Sequence, residues 1–160
     1  MSRLSNRRSP LAFLVGVVAL VLATTGVAYG VGDSVKHFRS LVFYERSTSG
    51  TPIDLGAPGP TVGDEFVFTS DLFSDSGFKN KVGTVVGSCT LIDPKTFLSE
   101  CGATARLADG DIQVNGAIIG NSNFAAPVTG GDGRYRGVSG EIQVTQINAN
   151  DSKDTLLLLR

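Results

Sequence analysis

Two short apolar runs joined by a proline turn restrict the fold of this 160-residue chain more than any other feature. Residues 82–92 form a glycine-spaced run that contains Cys89, and residues 97–107 form a second run that contains Cys101. Between them, Asp93-Pro94-Lys95 is typical of a turn. If the turn centres near Lys95, the two cysteines lie opposite each other on the same side of a β-hairpin. The pattern predicts a disulfide that contributes about 2–3 kcal/mol, with two separate thiols as the alternative.

Short runs of strand-forming residues continue on both sides of this hairpin. They predict strands over residues 35–46, 65–73, 82–92, 97–107, 111–119, 124–128, 140–147 and 155–159. Asp109-Gly110 is the strongest hairpin turn, whereas residues 47–60, with three prolines and three glycines, predict a long loop. No helical period follows residue 31. We therefore expect an all-β fold, an eight-stranded antiparallel up-and-down barrel whose interior can hold one small ligand, with a β-sandwich as the competing architecture.

The first thirty residues differ from the rest of the chain. They contain Arg3, Arg7 and Arg8 and no acid, their middle is apolar, and they end in small residues up to Gly30. This is the pattern of a secretory signal peptide, and an uncleaved membrane anchor is the alternative. Either interpretation predicts an exported protein, secreted or held at the cell envelope, with one barrel domain over residues 31–160. Contact with a membrane would then occur only through an uncleaved N-terminal segment.

Charge and residue types exclude several functions. Without the first thirty residues, eleven basic residues remain against fifteen acidic ones, and no basic stripe is visible, so we expect no nucleic-acid partner. The single histidine, His37, has no nucleophile turn near it and no set of cysteines or carboxylates at ligand spacing. The glycines of residues 130–133 lack the lysine and the helical setting of a phosphate loop. We therefore expect neither a metal nor a cofactor.

The parity of two predicted strands defines the candidate interior and the candidate site. In the second strand one face is largely aromatic and carries Phe66, Phe68, Ser70 and Leu72, and in the first strand one face carries Leu41, Phe43 and Glu45. The five apolar residues are predicted to line a cavity, in which the Ser70 hydroxyl requires a partner. A partly buried Glu45 would be suited to general acid or base work, and the alternative is a solvated strand-end glutamate beside Arg46.

Several short motifs, in order over about residues 41–147, resemble the allene oxide cyclase barrel family, to which dirigent proteins are related. The matching stretches are Tyr44-Glu45, Gly63-Asp64 with Phe68, Val82-Gly83 through Gly87 to Cys89, Asp109-Gly110 with Ile112 and Gly116, and Val128-Thr129-Gly130-Gly131 with Gly133, Tyr135 and residues 137–140. The resemblance implies an eight-stranded barrel with a hydrophobic cavity, and a dimer or trimer as a possible assembly.

The resemblance also implies roles for single residues. Glu45 matches a glutamate at the end of the first strand in the plant cyclases, and Cys89 matches a cysteine of their cavity. Ser70 stands where they have an asparagine that holds a catalytic water, and a tyrosine of a later strand is replaced near Ile118 or Ile119. Because of these departures, plant-type cyclisation is not expected. Similarity to bacterial barrels that cyclise linear polyketides, in residues 71–73, 82–84 and 133–135, implies an intramolecular cycloaddition instead.

Three functions follow from these observations. The first is a cyclase or isomerase that binds a flexible hydrophobic small molecule and directs its cyclisation, with Glu45 and Ser70 as catalytic residues. Such an enzyme needs little acid–base equipment, because holding a flexible substrate in its reactive shape lowers the barrier by itself. The second is a non-catalytic exported barrel that binds a hydrophobic ligand or steers a reaction, as dirigent proteins do. The third is a structural domain of the cell envelope with a filled interior.

Overall fold

The computed structural model describes residues 38–120 and 123–159, which form a closed β-barrel of eight strands. Each strand is antiparallel to the next in the chain, and the last strand pairs with the first. The strands are β1 Phe38–Ile53, β2 Glu65–Phe73, β3 Lys81–Asp93, β4 Leu98–Leu107, β5 Gly110–Ile119, β6 Phe124–Gly131, β7 Ser139–Gln146 and β8 Asp151–Leu159. The up-and-down barrel is thus confirmed, and closure leaves no free sheet edge along β1 and β8.

The predicted hairpin of β3 and β4 is confirmed together with its disulfide. Cys89 and Cys101 are register partners whose Cα atoms lie 4.0 Å apart, and their sulfurs are bonded. The turn between the strands is held by Asp93, which accepts hydrogen bonds from the Lys95 amide (3.0 Å) and the Thr96 hydroxyl (2.8 Å). These local bonds fix the register that places the two cysteines opposite each other.

One end of the barrel is filled by side chains. Ile112, Val128, Leu156 and Leu158 point inward from their strands and are almost completely buried. The connection from β6 to β7 contains a short 3-10 helix, Gly133–Tyr135, and it adds Tyr135 and Val138 to the same core. Alternation along the strands puts apolar side chains inside, so this end closes by packing alone. Any ligand site must lie nearer the other end.

Three strands extend at least three residues beyond their predicted ends. β1 continues to Ile53, because residues 49–53 pair with β2 after a bulge at Thr48, whose hydroxyl lies 3.0 Å from the Thr69 carbonyl oxygen. The predicted loop over residues 47–60 is therefore wrong in its first half. Gly130 and Gly131 end β6 and do not form a turn. β8 begins at Asp151, four residues earlier than predicted, because residues 151–154 pair with residues 43–46 of β1.

The predicted N-terminal segment, residues 1–30, lies outside the described residues, as does His37. Its assignment as a signal peptide or an anchor remains a prediction. In the part of the chain that the structure describes, no helix has the length and apolar character needed to span a membrane.

Candidate functional site

A cavity of about 280 Å³ occupies the barrel between the closed end and the opposite, open mouth. Its lining comes from all eight strands, together with Ala149 and Asn150 of the turn between β7 and β8. This volume is close to the lower limit of pockets that bind small organic molecules. The interior of an eight-stranded barrel has the right size for one such ligand.

The wall is polar on one side only. Glu45 and Ser47 come from β1, Ser70 from β2, and Ser152 and Asp154 from β8. These strands are neighbours, and Glu45 is the register partner of both Leu72 on β2 and Ser152 on β8. The polar side chains therefore form one continuous patch, which we call the polar wall.

Two carboxyl groups meet at the centre of the polar wall. Asp154 is 3% exposed and interacts electrostatically with Glu45. Its Oδ1 accepts a hydrogen bond of 2.8 Å from the Ser152 hydroxyl. Burial raises the pKa of Asp154 to about 8, with further contributions from the charge of Glu45 and the hydrogen bond to it, while the bond from Ser152 acts in the opposite direction. At neutral pH Asp154 is therefore mostly protonated, which makes it a buried acid.

A third acid at the rim is neutralised by an external arginine. The Arg46 guanidinium donates two hydrogen bonds to the Asp151 carboxylate, at 2.7 and 3.0 Å, and the Asn148 amide donates another at 2.9 Å. Arg46 and then Asn148 hold the pKa of Asp151 below its usual range. The guanidinium also lies 3.9 Å from the centre of the Phe78 ring. Asp151 thus joins β8 to β1 at the mouth as a charged residue, unlike Asp154.

The side of the cavity that faces the polar wall is apolar and lined by small side chains. Its residues include Val85, Cys89, Cys101, Ala103, Ala105, Val114, Gly116 and Ala126. Gly87 lets the Phe68 ring lie flat on the backbone of β3, because a Cβ atom there would meet that ring at about 2.5 Å. This explains the glycine spacing of the strand. The disulfide contributes apolar surface to the wall and leaves neither cysteine as a free thiol.

The structure brings most of the sequence-predicted site residues together at the cavity. Glu45, Phe43, Phe68, Ser70 and Leu72 line it. Phe66 lies at the mouth, where its ring stacks 6.1 Å from that of Phe68 and it remains 43% exposed. Leu41 is the exception. Leu41 packs against the core at the closed end. Along β1 it is the next inward-facing residue after Phe43, in the direction of that end.

Sequence reasoning missed Ser152 and Asp154. A signal was present, since both share the parity of Leu156 and Leu158 and would lie inside if β8 were extended toward its start. The polar composition of residues 151–154 concealed the strand. No set of three His, Cys, Asp or Glu side chains converges to hold a metal within residues 38–120 and 123–159.

Comparison with known proteins agrees with this geometry. The family model for an allene oxide cyclase barrel like domain matches residues 44–159, most of the chain and nearly all of the barrel. The chain belongs to the allene oxide cyclase-like barrel family. No curated protein sequence matches it.

Solved structures of similar fold carry several different activities. A protein described as pyocyanin demethylase is 27% identical, with a TM-score of 0.68, over 75% of this chain and 99% of its own. A pterocarpan synthase dirigent protein is 14% identical, with a TM-score of 0.67, over 78% of this chain and 89% of its own. An exo-specific intermolecular Diels-Alderase is 20% identical, with a TM-score of 0.60, over 78% of this chain and 99% of its own. The same barrel fold thus occurs in a dirigent protein and in a Diels-Alderase, so the fold by itself does not define an activity.

Proposed function

We propose that this protein binds a flexible, mainly apolar small molecule in its barrel and directs the cyclisation or isomerisation of that molecule. The observation that carries the proposal is the buried pair of Glu45 and Asp154, placed on one wall of an otherwise apolar cavity. A carboxyl group that stays protonated at neutral pH, as Asp154 does, is a proton donor, and a neighbouring carboxylate is an acceptor. The two together can move a proton between two atoms of one ligand without consuming a cofactor.

The contacts assign different roles to Asp154, Glu45 and Ser152. Asp154 donates a hydrogen bond, or its proton, to an oxygen or nitrogen of the ligand, which makes an adjacent conjugated system more electrophilic. The Glu45 carboxylate stabilises the positive charge that develops, or removes a proton after the new bond has formed. Ser152 orients Asp154, because its hydroxyl occupies Oδ1 and leaves the other oxygen for the proton. Proton donation and removal balance over one turnover.

The remaining walls select the shape of the ligand. Ser70 is 3% exposed and offers a hydroxyl beside the carboxyl pair, so we assign it a hydrogen bond to the ligand. Phe43, Phe68 and Leu72 confine the chain of the ligand, which removes much of its conformational freedom before reaction. The Diels-Alderase neighbour, which acts intermolecularly, supports this proposal at the level of the fold. An intramolecular cycloaddition of a polyketide is the version that needs least from the side chains.

A non-catalytic barrel that binds or steers a hydrophobic ligand is the second candidate. The dirigent neighbour and the open mouth of the cavity favour it. In that case the carboxyl pair would orient a ligand whose reaction begins elsewhere. Tight binding without chemical change would distinguish this function from the first. Pyocyanin belongs among the compounds to be tested, because the neighbour named after it is 27% identical to this chain.

The decisive experiment is metabolite profiling of a strain that lacks the gene. The strain is complemented with the wild type, with Glu45→Gln, Asp154→Asn or Ser70→Ala, or with Glu141→Gln, which removes an exposed acid from the outside of the barrel. We expect the deletion to accumulate an uncyclised isomer of a product that disappears. Wild type and Glu141→Gln should restore the product, and the two carboxyl variants should not. An unchanged profile in the deletion strain would contradict the cyclase and favour the non-catalytic binding function.

We also propose that the protein is exported and that its first thirty residues direct the export. The disulfide supports this, because structural disulfides persist mainly in oxidising compartments. Fractionation of the producing cells, with the N-terminus of the mature protein determined by mass spectrometry, tests the proposal. A start near residue 31 indicates a cleaved signal, and an intact start in the membrane fraction indicates an anchor. Intact protein in the cytoplasm would contradict it.

A further inference from the structure

The charge of the cavity restricts the ligand more sharply than its size does. Among the described residues that line the cavity, none is lysine, arginine or histidine, whereas three are acids. Asp151 is already paired with Arg46, so the uncompensated charge comes from Glu45 and Asp154. A negatively charged, largely apolar cavity without a cation selects for a positively charged group and against a negatively charged one.

We propose that the ligand carries a basic nitrogen and no carboxylate, and that the polar wall holds this nitrogen in its protonated form between Glu45 and Asp154. The inference rests on the proposed ligand cavity and names the chemical class that it accepts. A base stronger than the Asp154 carboxylate enters as a neutral molecule and accepts the proton of Asp154. The proton moves from oxygen to nitrogen, and the total charge of cavity and ligand is unchanged. No other reactant is required.

Ser70 supports the same assignment independently of the acids. The side chain is 3% exposed, lines the cavity, and makes no hydrogen bond with any other described residue. When a ligand displaces water from such a hydroxyl, the lost hydrogen bond costs affinity unless the ligand supplies a new one. Ser70 is the register partner of Ser47 and neighbours Leu72, which faces Glu45 across the β1–β2 pair. Its hydroxyl can therefore accept an N–H of a ligand whose nitrogen contacts Glu45.

A carboxylate ligand has no comparable partner in this cavity. Its charge would lie beside Glu45 in a region of low dielectric, where repulsion between like charges is much stronger than in water. The neighbouring strands place no positive charge opposite these acids, because Val144 of β7 lies opposite Asp154 and Leu72 of β2 lies opposite Glu45. Lys153 of β8 points away from the cavity and is exposed. The cavity thus discriminates by charge as well as by hydrophobicity.

Two probes with the same three-ring frame test the proposal. 9-Aminoacridine is a strong aromatic base that is a fluorescent cation at neutral pH, and anthracene-9-carboxylate is an acid of similar shape. Both are titrated with the wild-type barrel at about pH 7, where the first probe is a cation and the second is an anion. We expect 9-aminoacridine to bind, and the carboxylate to bind at least about tenfold more weakly.

Variants assign the effect to the carboxyl pair. Glu45→Gln and Asp154→Asn should each weaken 9-aminoacridine binding about tenfold or more, while Glu141→Gln, with the same change in net charge, should leave it unchanged. Circular dichroism confirms that each variant is folded, and Glu45→Gln decides the outcome if the Asp154 variant is not. Equal affinity for the two probes, or binding of 9-aminoacridine that Glu45→Gln does not weaken, would overturn the proposal.

The outcomes also separate this inference from the proposed function. Binding of 9-aminoacridine that depends on Glu45, together with an unchanged metabolite profile, would retain the ligand class and reject the cyclase. Loss of a cyclised product that lacks nitrogen, together with tight binding of the carboxylate, would retain the cyclase and reject the ligand class.

Discussion

The carboxyl groups of Glu45 and Asp154, from the first and the last strand of the barrel, line the same cavity and interact with each other. They approach each other because the closing pair of strands sets Phe43 opposite Asp154 and Glu45 opposite Ser152. Side chains on one face that are diagonal across an antiparallel pair remain within reach of each other when they are long. Closure of the barrel therefore creates the carboxyl pair.

Asp154 should make the barrel less stable as the pH rises. Its pKa is raised to about 8 in the folded protein, so between about pH 4 and pH 8 the folded state holds a proton that the unfolded state has lost. The free energy of unfolding then falls with increasing pH, by at most about 1.4 kcal/mol per unit. Urea unfolding at a series of pH values measures this. Asp154→Asn should flatten the slope over that window, and an equally steep slope in the variant would refute the assignment.

Removal of the disulfide should lower stability without destroying the cavity. Cys89 and Cys101 close a loop with a sequence separation of 12 residues, for which the chain-entropy account gives about 3 kcal/mol. The double variant Cys89→Ala, Cys101→Ala should lose this amount in urea unfolding. Adding a reductant should destabilise the wild type to the same level and should not affect the double variant. A wild type insensitive to reductant would show that the bond is not formed.

Filling the cavity should block ligand binding and leave the fold intact. Ala103 lies in the apolar wall, so Ala103→Leu puts a larger side chain into empty space. The neutral fluorescent probe N-phenyl-1-naphthylamine should bind the wild type and lose about tenfold or more in affinity for this variant. Ala117→Leu adds the same atoms at an exposed position of β5 and serves as the control. Similar losses in both variants would place the probe outside the cavity.

Two glycines near the closed end should differ in their tolerance of a side chain. Gly140 has φ +149°, and an added Cβ would collide with the Leu157 carbonyl oxygen, whereas Gly137 has φ +75° and open space around it. Gly137→Ala should therefore cost only backbone strain, about 1 kcal/mol, and Gly140→Ala more than about 3 kcal/mol. Thermal unfolding of both variants measures the difference. Comparable losses would mean that the collision with Leu157 is relieved by a small shift.

Local pattern was sufficient for much of the fold. The turn at Asp93 sets the register of β3 and β4 within a few residues of sequence, so the pairing of Cys89 with Cys101 follows from the order of residues alone. Strand parity likewise put Phe68, Ser70 and Leu72 on one face. In both cases a period of two residues per strand and a short turn contain all the necessary information.

The bulge at Thr48 and the start of β8 at Asp151 could not be predicted in the same way. Each depends on a partner strand that holds a polar segment in extended form, namely β2 for residues 49–53 and β1 for residues 151–154. Propensity alone favours a loop for such sequences, and pairing across the barrel overrides it.

Sequence alone therefore determined the number of strands, the inward faces of the central hairpins and the disulfide, because these follow from alternation and tight turns. Only the tertiary structure decided that Leu41 lies below the cavity, that Phe66 lies at its mouth and that Asp154 meets Glu45. Those facts depend on how far the last strand is shifted along the first when the barrel closes. That shift is set by the packing of all eight strands together, which no local segment encodes.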